Sequence, residues 1–166
     1  MFRKVLGVAV FLFLIGLLAY FLFERRQQDE TEGVVRVKKE EIPVVVVGWD
    51  EEERGSVFLD GATPEQRARI IIDELRKKGA IPTQTELIDM AKGKDGTIYL
   101  NFSSDLSLSV REPMEEIRAV YSIVDSFVLA FPGSQRVQIL IEGRAMPTIS
   151  GLLFTYRPLE PMKEAE

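Results

Sequence analysis

From Met114 onward, apolar residues recur at Ile117, Val120, Tyr121, Val124, Phe127, Val128 and Phe131. Steps of three and four draw one wide apolar stripe on a helix of about five turns. Glu115, Glu116, Arg118, Asp125 and Ser126 fall on the opposite side of that helix. Pro113 suits the first helical position, where a missing N–H costs nothing, and Pro132-Gly133 stops the helix. A turn then leads into 136–143, where Val137, Ile139 and Ile141 share one face, as period two requires. A helix with so wide a stripe needs a sheet to lie on, and this strand is the nearest candidate.

The other strong feature is at the opposite end. Residues 5–23 form nineteen positions without a charge, just enough helix to cross a hydrocarbon core. Arg3 and Lys4 precede the run, and Glu24, Arg25 and Arg26 follow it. It is longer than a usual signal-peptide core, and no small-residue cleavage site follows Ala19. The expectation is an uncleaved signal anchor. The basic residues on its two sides balance, so the four-residue N-terminal tail decides the orientation: it stays in the cytoplasm and the domain lies outside. This gives a single-pass inner-membrane protein with an extracytoplasmic C-terminal domain. The divisions expected are an anchor over 1–23, a charged linker over 24–43, a domain over 44–159 and a flexible tail over 160–166.

Within the domain, Val44–Val47 is a β-branched run without alternation, which favours a buried strand. A charged turn over 50–54 leads to a second short strand at 56–59. Thr63-Pro64-Glu65-Gln66 combines a cap, a first-position proline and a capping box. Ala68, Ile71, Ile72 and Leu75 make the inward stripe of that helix, and Arg76, Lys77 and Lys78 oppose its negative end before Gly79. Residues 86–91 and 97–102 read as a hairpin around Asp95-Gly96, with Ile98, Leu100 and Phe102 inward and Tyr99 and Asn101 outward. The stretch 103–111 reads as a loop or short strand, and 152–156 as a last strand before Pro158. The fold class expected is α+β: a small mixed β-sheet with two helices packed on one face, preceded by the transmembrane helix.

The residue types exclude much chemistry. There is no cysteine and no histidine. Disulfides, thiolate sites and Ser-His pairs are therefore out, and the commonest general base and metal ligand is missing. The net charge is −5; setting aside Arg3 and Lys4 leaves 19 basic against 26 acidic side chains. Such a domain has no overall attraction for nucleic acid or for anionic lipid, which leaves only local basic clusters such as Arg76-Lys77-Lys78. No glycine-rich phosphate loop or nucleophile elbow occurs. The acidic groups at 50–53, Glu115-Glu116 and Glu40-Glu41 read as solvated surface rather than a glycosidase pair. Asp60-Gly61 and Asp95-Gly96 lack the alternating oxygen ligands of a calcium loop. The trio Arg76, Lys77 and Lys78 reads as dipole compensation ahead of an anion or lipid contact, and Trp49 as a core edge or a binding surface. No catalytic, cofactor-binding or metal-ligating residue is assigned, and no cofactor is expected.

The segments Gly96-Thr-Ile-Tyr-Leu-Asn-Phe-Ser103, Glu116–Phe127, Phe131-Pro-Gly133 and Val137-Gln-Ile-Leu-Ile-Glu-Gly143, with Gly151 and Pro158-Leu159, together resemble the GerMN domain. That family is associated with bacterial sporulation and spore germination. The resemblance spans roughly 45–159 and brings no catalytic residues. Two positions depart from the pattern: many members are lipoproteins, whereas this chain lacks cysteine, and Leu152 stands where a polar residue is expected. The resemblance implies a layout similar to ring-building domains, which work by packing side by side. The function expected is a non-enzymatic, membrane-anchored extracytoplasmic module. Residues 5–23 hold the membrane, and the domain binds a protein partner or its own copies in sporulation, germination or envelope assembly. The alternatives are a peptidoglycan hydrolase using paired carboxylates and an adaptor subunit of a larger membrane machine.

Overall fold

The computed structural model describes residues 39–48 and 52–162. Its elements run β1 (Lys39–Val47), β2 (Glu52–Asp60), α1 (Pro64–Lys77), β3 (Leu87–Lys92), β4 (Thr97–Phe102), α2 (Asp105–Ser109), α3 (Pro113–Ala130) and β5 (Arg136–Ile141). The expected anchor at 5–23, Trp49 and most of the expected linker lie outside the described residues. No helix among the described residues is long and apolar enough to cross a membrane.

The strands form two sheets rather than one. β1 and β2 make an antiparallel hairpin, while β3, β4 and β5 form a mixed sheet in that order, β3 antiparallel and β5 parallel to β4. A parallel neighbour requires a long crossover, and α2 with α3 supplies it. β1 starts at Lys39, earlier than the valine run suggested, because residues 39–43 pair with Ser56 to Asp60. The stretch 103–111 contains α2, with Leu106 and Val110 buried and Leu108 exposed. Residues 152–156 form no strand; the closing pairing is a single bridge between Val137 and Leu159.

The local rules operate where expected. Thr63 and Gln66 form the capping box of α1. Gly96 turns the β3–β4 hairpin at φ 76°, and a Cβ there would sit 3.1 Å from the Gly133 carbonyl. The Asp95 carboxylate accepts from the N–H and hydroxyl of Thr97 and pairs with Arg136, which ties the turn to the start of β5.

The core is continuous. Ile42, Val44 and Val46 of β1 join Ile71 and Leu75 of α1, Ile98, Leu100 and Phe102 of β4, Val120, Ile123, Val124 and Phe127 of α3, and Val137 and Ile139 of β5. Two sheets rather than one follow from the edge of β1. Val45 N–H donates to Ser126 Oγ at 2.8 Å, and the Ser126 hydroxyl donates to Val45 C=O at 3.1 Å. Val47 N–H donates to Ser122 Oγ at 2.9 Å. Residues four apart on a helix advance about 6 Å, and residues two apart on a strand about 6.6 Å. The two serines therefore match the two valines, and α3 takes the place of a neighbouring strand.

Candidate functional site

Much of the side of α3 expected to face water is buried, although Glu115 is exposed and Arg118 half-buried. Glu116, Ser122, Asp125 and Ser126 are all withdrawn from solvent. The apolar stripe packs on the core, and the polar side meets β1 and the C-terminal segments. The stripe gives no sign of this second contact, because it is made through hydrogen bonds. Serines at i and i+4 opposite a β-branched run were the only hint.

Glu116 is fully buried. Its carboxylate accepts from the N–H groups of Ile149 at 2.8 Å, Ser150 at 2.9 Å and Leu152 at 2.7 Å, and from the Ser150 hydroxyl at 3.1 Å. Burial pushes its pKa up, but the N–H groups of Ser150, Leu152, Ile149 and Leu153 outweigh it and hold the group below the usual carboxylate value. The nearby N-terminus of α3 favours the same charge. Glu116 is thus an ionised clip for the segment after β5. Its neighbour Glu115 is exposed and accepts from the Arg111 and Glu112 N–H groups. The two do not act as a pair.

Asp125 is 5% exposed and accepts from Met162 N–H at 3.0 Å. Burial pushes its pKa up to about 6, the Met162 bond pulls it back, Glu52 raises it and Arg54 lowers it. It clips the last described residues to α3.

Three of the other acidic candidates are occupied, while Asp50 and Glu51 lie outside the described residues. Glu40 pairs with Arg67 at 2.5 Å, Glu52 with Arg54 at 2.8 Å and Glu53 with Lys78. Arg67 also donates to Ala130 C=O and stacks over Phe131, joining β1 to the end of α3. The basic trio is fully partnered: Arg76 with Asp73, Lys77 with Glu74 and Lys78 with Glu53. Among the described residues, no group of three or more acidic side chains is placed to hold a metal. Two recesses exist. One of about 360 Å³ is lined by Arg69, Ile72, Asp73, Arg76, Glu86 and Leu87. The other, of about 210 Å³, is lined by residues that include Ile81, Pro82, Val110, Glu115 and Arg118. The buried carboxylates Glu116 and Asp125 line neither recess.

What remains at the surface is backbone edge and apolar side chain. Among the described residues no strand pairs with the outer edge of β2 or of β3, and Phe58 stands exposed on β2.

Such a fold, with the buried carboxylates Glu116 and Asp125 holding chain segments to α3, defines a small α+β module. The sequence family Germane, described as "Sporulation and spore germination", matches residues 19–146, and the chain belongs to that family. Comparison with curated protein sequences returns no match. Among solved structures, the chain is similar to a protein described as a lipoprotein from Clostridium perfringens, at 18% identity and a TM-score of 0.50, covering 75% of this chain and 89% of the other. It is also similar to the tandem GerMN domains of the sporulation protein GerM from Bacillus subtilis, at 17% identity and a TM-score of 0.50. That match covers 75% of this chain and 45% of the tandem protein. These likenesses concern the fold, a small mixed sheet with helices beside it.

Proposed function

We propose that the protein is a membrane-anchored assembly module, held by residues 5–23, whose GerMN-type domain lies outside the cytoplasmic membrane and packs against an envelope protein or its own copies. The observation that carries this reading is the open outer edge of β2 beside the exposed Phe58. An unpaired edge offers N–H and C=O groups to an incoming strand. Membership of a sporulation and germination family supports a place in the assembly of the spore or cell envelope. The uncharged run at 5–23 supports the anchor.

Purified full-length protein incubated with peptidoglycan tests the non-enzymatic part. The expected result is no release of soluble fragments. Release that disappears when a single Asp or Glu is replaced would overturn the reading in favour of a hydrolase. Alkaline washing of membranes tests the anchor, and the expected result is that the full-length chain stays in the pellet.

A further inference from the structure

We infer that the segment from Arg144 to Arg157 seats the domain on an anionic bilayer surface. The inference takes only its tether from the anchored reading above.

The segment follows β5 and is not a loose loop. Glu116 holds the N–H groups of Ile149, Ser150 and Leu152. Thr155 N–H donates to Pro147 C=O at 2.9 Å, and its hydroxyl donates to Met146 C=O at 3.0 Å. Gln138 of β5 donates to Thr155 C=O at 2.9 Å. With the backbone so fixed, the side chains alternate: Leu153 and Thr155 turn inward, while Leu152, Phe154 and Tyr156 turn outward. The outward three are 50%, 58% and 57% exposed, and Met146, brought beside them by Thr155, is 37% exposed. The rings of Phe154 and Tyr156 lie 6.2 Å apart. Apolar groups held in water by a buried ionised clip indicate a surface meant to be covered.

Charge and size point to the cover. The stretch from Gly143 to Leu159 holds Arg144 and Arg157 and no acidic residue, in a chain whose net charge is −5. Both arginines are exposed, and neither forms an ion pair with a described residue. A half-exposed aromatic presents about 100 Å², and Leu152 and the less exposed Met146 each present less, so the four side chains together stay below about 400 Å². A stable protein interface needs about 800 Å² from each partner. A few aromatic and aliphatic side chains flanked by arginine are sufficient for the bilayer interface, where rings sit at headgroup level and each basic group near an anionic surface adds attraction. The tether keeps the segment at high local concentration.

Because the chain has no cysteine, one introduced thiol carries one label. The test uses the full chain in liposomes of phosphatidylethanolamine and phosphatidylglycerol, labelled with an environment-sensitive fluorophore at Phe154→Cys. Glu65→Cys, exposed at the start of α1, is the control. The expected result is a blue shift at 154, with loss of emission to lipid-borne quenchers, and neither at 65. Replacing Arg144→Gln and Arg157→Gln should lower the inserted-to-free ratio about fivefold for each arginine removed. A blue shift without lipid quenching, lost when the protein is diluted in the bilayer, would show a contact between copies and overturn the inference. So would equal quenching at both positions, or no change at 154. Alkaline washing separates this inference from the anchor. Protein that stays in the bilayer with an unquenched label sinks the seating surface alone, and protein that washes off after showing quenching sinks the anchor alone.

Discussion

The hydroxyl of Ser126 serves both polar groups of Val45, accepting its N–H at 2.8 Å and donating to its C=O at 3.1 Å. One side chain on α3 thus does what a neighbouring strand would do for β1, and Ser122 repeats half of it at Val47. A buried polar group left without its partner costs about 1–3 kcal/mol. Ser126→Ala strands two such groups and Ser122→Ala one. Denaturant unfolding of both variants should show the larger loss at position 126, about 2–3 kcal/mol against about 1 kcal/mol at position 122. Equal losses would mean that the hydroxyls do not close the edge.

Glu116 should matter for the segment it holds more than for the core. Glu116→Gln keeps the shape but gives up the charge and one accepting oxygen, which should cost about 2–3 kcal/mol. Hydrogen exchange should quicken first at the amides of Ile149, Ser150 and Leu152. The folded pKa of this group lies below its ordinary value, so its contribution is present above the unfolded carboxylate range and is lost as pH falls through the folded pKa. Unchanged exchange at those amides in Glu116→Gln would contradict the clip.

Asp125 should act in the opposite sense. Its folded pKa, about 6, lies above the ordinary carboxylate value, so the folded state holds the proton that the unfolded chain releases. Stability from this group is greatest below pH 4, falls as pH rises from about 4 to about 6, and is flat above that; two units correspond to at most about 3 kcal/mol. Melting temperatures of the wild type and Asp125→Asn across pH 4 to 7 should converge on the acid side, with the variant gaining at neutral pH. Parallel curves would show that Asp125 ionises freely.

Val124 and Arg118 test the two sides of α3. Val124 is fully buried, and Val124→Asp should abolish folding by burying an unpaired charge. Arg118, expected on an open surface, is half-buried and donates to Lys78 C=O at 3.3 Å. Arg118→Asp should therefore cost about 1–2 kcal/mol, more than the small effect of an exposed site. Thermal unfolding that ranks the two variants equally would place the helix in the wrong phase.

The elements with strong local signatures were legible in the amino-acid order. Pro113 and Pro132-Gly133 bound α3, Thr63 with Gln66 starts α1, and Asp95-Gly96 turns β3 into β4. The inward alternation of Ile98, Leu100 and Phe102 is also present. What local patterns do not carry is contact made through polar groups. Glu116, Asp125 and Ser126 looked solvent-facing because a hydrophobic stripe identifies one side of a helix and leaves the other to be assumed wet. The alternation at Leu152, Phe154 and Tyr156 is real, yet it belongs to a segment held by Glu116, Thr155 and Gln138 rather than by strand pairing. The serine-leucine alternation of 103–111 concealed the short helix α2, which buries Leu106, and the extended, buried Val110 just past its end. The open edge of β2 and the apolar segment after β5 required the structure.

The most direct measurement of the interaction role is site-specific photo-cross-linking of the full-length protein in its own membrane, with the reactive group at Phe58 on the open edge of β2 and, as control, at Glu65 on α1. The expected result is a discrete adduct at position 58, with a second copy or one envelope protein, and none at 65. Monomer alone at position 58, under conditions where the protein is intact and membrane-bound, would contradict the reading of this chain as an assembly module.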